Sequence, residues 1–229
     1  MSKLVKNTIP VRITRTTQPQ VACEIDWGNP LTKGLVTALL PPTALTVTKN
    51  GIAGLISKEL SRADSDTLGV GTILTSLACT GNPSIWGVPF ALNSADNGAG
   101  RIITIFNNGT GQFVPFASNG GDSYSPQIQL DTSGRNVPIA LRWYYDGVGD
   151  ITIDGATQAI GDAAIWFNSG ATRTISAGST NCYATHVFVY YRQLSNAEIR
   201  SLSNNPWQIF KPVVQQLPYD MVRGPMQRR

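Results

Sequence analysis

Val137-Pro138-Ile139-Ala140-Leu141-Arg142-Trp143-Tyr144-Tyr145 decides how the rest of this chain is read. Val137, Ile139, Leu141, Trp143 and Tyr145 alternate with Pro138, Ala140, Arg142 and Tyr144. A period of two is the mark of a strand with one face turned to a core, because successive side chains of a strand point to opposite faces. The alternation therefore predicts a β-strand here, with Trp143 and Tyr145 on its buried side.

The same reading extends outward. Gln127-Ile128-Gln129-Leu130 and Ile151-Thr152-Ile153 alternate likewise. Tyr183 to Tyr191 is apolar or aromatic at most positions on both faces, which predicts a central strand covered on both sides. Arg101 to Phe106, Gln112 to Phe116 and Ala164 to Phe167 are further candidate strands. Between these runs stand Asn107-Asn108-Gly109, Asn119-Gly120-Gly121, Ser133-Gly134, Asp146-Gly147, Asp154-Gly155 and Asn168-Ser169-Gly170. Gly and Asn supply the positive φ that tight hairpins require. Short strands with regular turn signals predict an all-β sandwich or barrel.

One short helix is marked near the C-terminal end. Ser195 and Glu198 have the spacing of a capping box, Leu194 and Ile199 that of a hydrophobic staple, and Pro206 ends the run.

Composition agrees with this reading. Apolar residues make up 41% of the 229, enough for a sizeable core, while charged residues reach only 14%. Charge is unevenly placed. Lys3, Lys6, Arg12 and Arg15 face no acid in residues 1–22, and Lys211, Arg223, Arg228 and Arg229 outweigh Asp220 in residues 207–229. Both ends are basic and the body between them is mildly acidic, an arrangement that suits arms laid on an acidic partner or merely solvated tails. The expected organisation is an extended basic arm over 1–22, a β-sandwich over 23–206 and a basic C-terminal tail over 207–229 that packs on the domain or on a partner, with Trp207 as its anchor. Cys23, Cys79 and Cys182 match neither a disulfide framework nor a C-x-x-C site, so free buried thiols are expected. The N-terminal stretch has no apolar core of a secretory leader, and no apolar run is long enough to span a bilayer.

Two stretches carry a resemblance. Tyr191-Arg192-Gln193-Leu194-Ser195-Asn196-Ala197-Glu198-Ile199, followed by Asn205-Pro206-Trp207-Gln208-Ile209-Phe210-Lys211-Pro212, is similar to the C-terminal signature of laminin-G-like, concanavalin A-like jellyroll domains of phage and prophage proteins. Asn29-Pro30-Leu31-Thr32-Lys33-Gly34-Leu35-Val36 resembles the opening of the same domains, and Tyr145-Asp146-Gly147 with Ile153-Asp154-Gly155 resembles their hairpin. The resemblance implies a two-sheet antiparallel jellyroll with one short C-terminal helix and extended terminal arms. It also implies a virion component, made in the bacterial cytoplasm and partnered by other virion proteins such as a major capsid or tail protein, as a homo-oligomer. It does not fix function, since the fold hosts lectins, glycosidases and purely structural parts.

Catalytic sets are incomplete. Glycosidases of this superfamily carry an E-x-D-x-E run, because cleaving a glycosidic bond takes two carboxylates. Here Glu24-Ile25-Asp26 runs into Trp27 and Gly28, and only Glu59 and Glu198 remain as other glutamates. Gly121-Asp122-Ser123 has the letters of an esterase block, but the sole histidine, His186, has Tyr183 where its aspartate should stand. A packed strand histidine is the expectation, and no enzyme is expected. One His and scattered Cys give no zinc set. Calcium has weak candidates in Asp96, Asp146 and Asp150, with Asp154 nearby, although Asp-Gly pairs are equally ordinary turn formers. Glycan contacts would need aromatic platforms near loops, for which Trp86, Tyr124 and Trp166 are the candidates. The basic ends lack the interleaved aromatics of a nucleic-acid surface. The leading expectation is a capsid decoration or stabilising protein held to the head by Lys3, Lys6, Arg12, Arg15, Arg223, Arg228 and Arg229. The alternative is a tail or fibre module that binds host surface glycans.

Overall fold

The computed structural model describes residues 18–19, 22–41, 46–48, 51–53, 56–60, 70–79, 90–94, 101–107, 112–118, 122–124, 128–129, 135–143, 149–160, 173–178 and 181–213. They form an all-β, two-sheet antiparallel sandwich with one short α-helix. Strands are numbered in chain order. The six-stranded sheet runs β14 (Ala156–Ile160), β13 (Gly149–Ile153), β12 (Asn136–Trp143), β6 (Gly71–Cys79), β16 (Cys182–Tyr190), β2 (Leu35–Leu39). The seven-stranded sheet runs β10 (Asp122–Tyr124), β9 (Gln112–Ser118), β8 (Arg101–Asn107), β7 (Phe90–Ser94), β15 (Arg173–Ala177), β5 (Ile56–Leu60), with β11 (Ile128–Gln129) also on β9. Two ribbons complete it, β1 (Cys23–Ile25) with β17 (Phe210–Pro212) and β3 (Thr46–Thr48) with β4 (Gly51–Ala53).

The alternation that opened the sequence reading is the inner face of β12. Val137, Ile139 and Leu141 point between the sheets with Ile73 and Leu77 of β6, Ile151 and Ile153 of β13, Val187 and Val189 of β16, and Ile56 and Ile175 from the facing sheet. The side chain of Trp143, and all of Tyr145 and Ala164 to Phe167, lie outside what is described.

A second core lies on the outer face of the six-stranded sheet. Leu74, Ala140, Phe188 and Tyr190 are covered there by Leu194, Ile199, Leu202 and Ile209. The cover is the helix α1 (Asn196–Asn204) and the 3-10 turn Pro206–Ile209. Trp207 is buried in this cover. Coverage on both faces explains why every residue of β6, and all but one of β16, is buried.

The helix begins as its residues dictate. Ser195 Oγ accepts from the Glu198 amide, and Glu198 Oε2 accepts from the Ser195 amide, closing the capping box. Its last carbonyls are met by a side chain: Gln208 Nε2 donates to the carbonyls of Ser201 at 3.0 Å and Asn205 at 2.9 Å. The Asp154-Gly155 turn between β13 and β14 has positive φ at both residues, 50° and 86°, as a tight two-residue hairpin requires.

The cysteine expectation is corrected. Cys79 and Cys182 form a disulfide, and Cys23 alone is a free thiol. The two residues stand 103 apart in sequence but are register partners on neighbouring strands, with Cα atoms 4.1 Å apart. Spacing along the chain hides a pairing that strand order creates.

Candidate functional site

The two stretches that carry the family resemblance meet in space. Asn29 caps the 3-10 turn Pro30–Thr32 with its Oδ1 and donates from Nδ2 to the carbonyl of Gln208 at 2.8 Å. The Asp26 amide donates to the Ile209 carbonyl, and the Tyr191 amide to that of Gly34. Gly34 sits at φ 79°, and a Cβ there would come within 3.0 Å of Arg192 Cγ, so glycine serves both the turn and the close approach.

Arg192 is the rivet of this junction. Its Nε donates to the Lys33 carbonyl at 2.6 Å, and Nη1 and Nη2 donate to the two oxygens of Glu198 at 3.0 and 2.7 Å. That pairing, together with the Ser195 donors, pulls the Glu198 carboxyl down to about 2, well below its ordinary value of 4.5. A depressed folded-state value adds stability that is fully present above the ordinary value and is lost as pH falls toward the folded one. Thermal unfolding followed between pH 5 and pH 2 should therefore show a stability loss through that window, and Glu198→Gln should flatten it. A variant that keeps the full wild-type slope would remove Glu198 as its source.

On this rigid base lies a groove of about 470 Å³. Trp27 and Tyr191 line it and are 65% and 51% exposed. Asn29 and Thr32 form its floor, with their polar groups spent on the turn, and the exposed Lys33 stands beside them. Large aromatic side chains held in water on a fixed frame offer flat apolar faces to a partner that also carries polar groups. Sequence reasoning missed both. Trp27 was read only as the residue that breaks the acidic run. Tyr191 carries no local signal either: β16 is covered on both faces, so alternation past Tyr190 does not tell that Tyr191, just beyond the strand, is exposed.

The sequence candidates fare differently. Lys3, Lys6, Arg12, Arg15, Arg223, Arg228, Arg229, Trp86, Trp166, Asp96 and Asp146 lie outside the described residues. Tyr124 is on the edge strand β10, opposite Phe116, far along the other sheet from the groove. Asp150 has both oxygens occupied by Arg142 at 2.8 Å. Asp154 makes a matching two-point pair with Arg135. Glu24 pairs with Lys211 across β1 and β17 at 3.4 Å. His186 is buried as expected, and burial lowers its pKa to about 3. Among the described residues no three His, Cys, Asp or Glu side chains gather as a metal would require. No described helix is long and apolar enough to cross a membrane.

No protein-family model and no curated protein matches the chain. Solved structures do. Trypanosoma rangeli sialidase aligns at 14% identity and TM-score 0.57 over 78% of this chain and 34% of its own. The same sialidase in complex with sialic acid aligns at 16% identity and TM-score 0.52, again over 78% and 34%. The binding domain of botulinum neurotoxin DC in complex with rat synaptotagmin II reaches 12% identity and 0.49 over 76% and 52%, a likeness too slight to build on. The chain thus spans about a third of the sialidases it matches, and at these identities what it shares with them is the β-sandwich fold.

Proposed function

We propose that this chain is a non-catalytic β-sandwich module that binds carbohydrate through the Trp27–Tyr191 groove. The observation that carries the reading is the pair of exposed aromatic faces, Trp27 and Tyr191, flanking one groove with Lys33 beside it. A pyranose presents apolar C–H faces and a rim of hydroxyls, so an indole and a phenol take the faces while the Lys33 ammonium donates to hydroxyl or carboxylate oxygens. The sialidase complex with sialic acid supports the reading as a case of the same fold in a protein that meets sugars. Among the described carboxylates, Glu24, Asp150, Asp154 and Glu198 are each held by a cation, and Asp26 accepts from the Gly28 amide, so none is paired with a second carboxylate as glycoside cleavage requires.

The test is a glycan array followed by calorimetry with the best hit. Burying about 80 Å² of Trp27 against a sugar face is worth about 2 kcal/mol, so Trp27→Ala should weaken binding about 30-fold, and Tyr191→Ala should weaken it in the same direction. Binding unchanged in both variants would sink the site.

A second reading is favoured by the resemblance of residues 191–212 to phage jellyroll domains. In it the module belongs to a virion, on head or tail, and the basic residues of the arms attach it there. Deleting residues 1–20 should then abolish attachment to the particle while the domain still folds.

A further inference from the structure

A cavity of about 150 Å³ lies on the outer face of the six-stranded sheet, at the C-terminal end of α1 and away from the aromatic groove. Ser76, Asn136, Thr185, His186, Ser203 and Trp207 are among its walls, and no acidic, Lys or Arg side chain of the described residues lines it.

His186 reaches this cavity because of a bulge. The register runs Ala184↔Leu77 and then Val187↔Thr75, so Thr185 and His186 together stand against Ser76. Without the extra residue, His186 would share the parity of Cys182 and Ala184 and enter the interior between the sheets. With it, His186 joins Phe188 and Tyr190 on the outer face. The bulge is held by Thr75, whose hydroxyl donates to the His186 carbonyl at 2.7 Å.

The imidazole is then fixed on three sides. Thr185 Oγ1 lies 2.9 Å from Nδ1, Phe188 packs 4.5 Å from the ring and Trp207 meets it edge-on at 5.7 Å. Nε2 has no hydrogen-bond partner among the described residues, although the side chain is 99% buried, its exposure being 1%. Asn136 Oδ1, on the same cavity wall, has none either. Leaving a buried polar atom unpaired is unfavourable, and two at one small cavity mark a place prepared for a third group.

We propose that this cavity is a binding site for a small uncharged molecule bearing vicinal hydroxyls, a monosaccharide or polyol, with His186 Nε2 and Asn136 Oδ1 as its polar anchors. Asn136 Oδ1 can only accept, so the group facing it must donate. Nε2 accepts or donates according to which tautomer the Thr185 hydroxyl selects, and a hydroxyl satisfies either. A carboxylate cannot donate to Asn136, and an ammonium cannot accept from Nε2. Burial keeps the imidazole uncharged, which leaves a charged ligand without a counter-charge. Trp207 supplies the apolar wall that the C–H face of a sugar needs. The site does not depend on the aromatic groove.

The chain contains one histidine, so its imidazole ¹⁵N signals report this cavity alone. The full chain is titrated with glycerol, glucose, galactose and N-acetylglucosamine, with glucuronate as the charged comparison. The expected result is a saturable shift of the Nε2 signal with at least one neutral probe and none with glucuronate. His186→Phe, which has no second polar atom, should weaken that probe at least tenfold by calorimetry, and Asn136→Leu should do the same if the first variant fails to fold. Glu24→Gln, on the exposed ribbon of β1 and β17 and in neither the cavity nor the groove, should leave it unchanged. An Nε2 signal that contacts bulk-exchanging water and responds to no probe shows a hydration pocket only, and overturns the proposal. Equal response to glucuronate, or full binding by His186→Phe or Asn136→Leu, overturns it as well.

Discussion

Replacing Cys79 and Cys182 together by alanine should cost the fold about 4.7 kcal/mol, because the bridge closes a loop of about 100 residues in the unfolded chain. For a domain of this size that is a fall of about 10–15 °C in melting temperature. Both residues are fully buried, so a reductant added to the folded protein meets no sulfur at the surface. Reduction should wait on opening of the sheet, slow in native buffer and fast in urea. Thiol counting by mass spectrometry under both conditions reads this directly. Two rapidly labelled thiols in the native state, or a double variant as stable as the parent, would contradict the bridge. A chain kept under reducing conditions while it folds should lack this contribution.

The second large effect is expected at Arg142 and Asp150. They are direct cross-strand partners on β12 and β13, joined by two hydrogen bonds of 2.8 Å, and only 11% and 16% of their side chains are exposed. Arg142 also donates to the Leu194 carbonyl at 2.9 Å, just ahead of the helix. The pair therefore joins the sheet to its outer cover. Removing one partner strands a charge in a mostly dry place, which costs about 3–5 kcal/mol. Asp150→Ala should lower the unfolding free energy by that amount, read as a fall in the urea midpoint with little change in slope. The double change Arg142→Met, Asp150→Leu should recover much of the loss, since no unpaired charge remains. Additive losses in the double variant would mean that the two side chains do not act as a pair.

These two sites show where sequence is transparent and where it is not. The inner face of β12 and the Ser195–Glu198 cap were legible because their signals are local: one is a period, the other a hydrogen-bond pair three residues apart. β6 was not recognised, because coverage on both faces removes the period and its buried Thr72, Thr75 and Ser76 break up the apolar run that reveals β16. Asp150 is by sequence only a weak calcium candidate among turn-forming Asp residues, and its pairing with Arg142 comes from the strand register. The bridge of Cys79 to Cys182 has the same origin, since strand neighbours are decided by topology and not by spacing. His186 was correctly read as a packed strand residue, but its facing was not available, because one extra residue at the bulge reverses the parity of everything after it. The aromatic groove was missed for a related reason. Whether Trp27 faces core or water depends on Asn29 and Arg192 fastening a turn to segments 179 and 159 residues away.

The ribbon of β1 and β17 places Cys23 opposite Pro212, and the amide of Val213 donates to the carbonyl of Ala22. The two basic extensions therefore leave the sandwich from adjoining points. A partner that gripped one of them would hold the other at high effective concentration, and its release would then need both to let go. The same proximity means that a short peptide joining the two ends, with new termini opened in a surface hairpin such as Asp154-Gly155, should give a permuted chain with an unchanged sandwich.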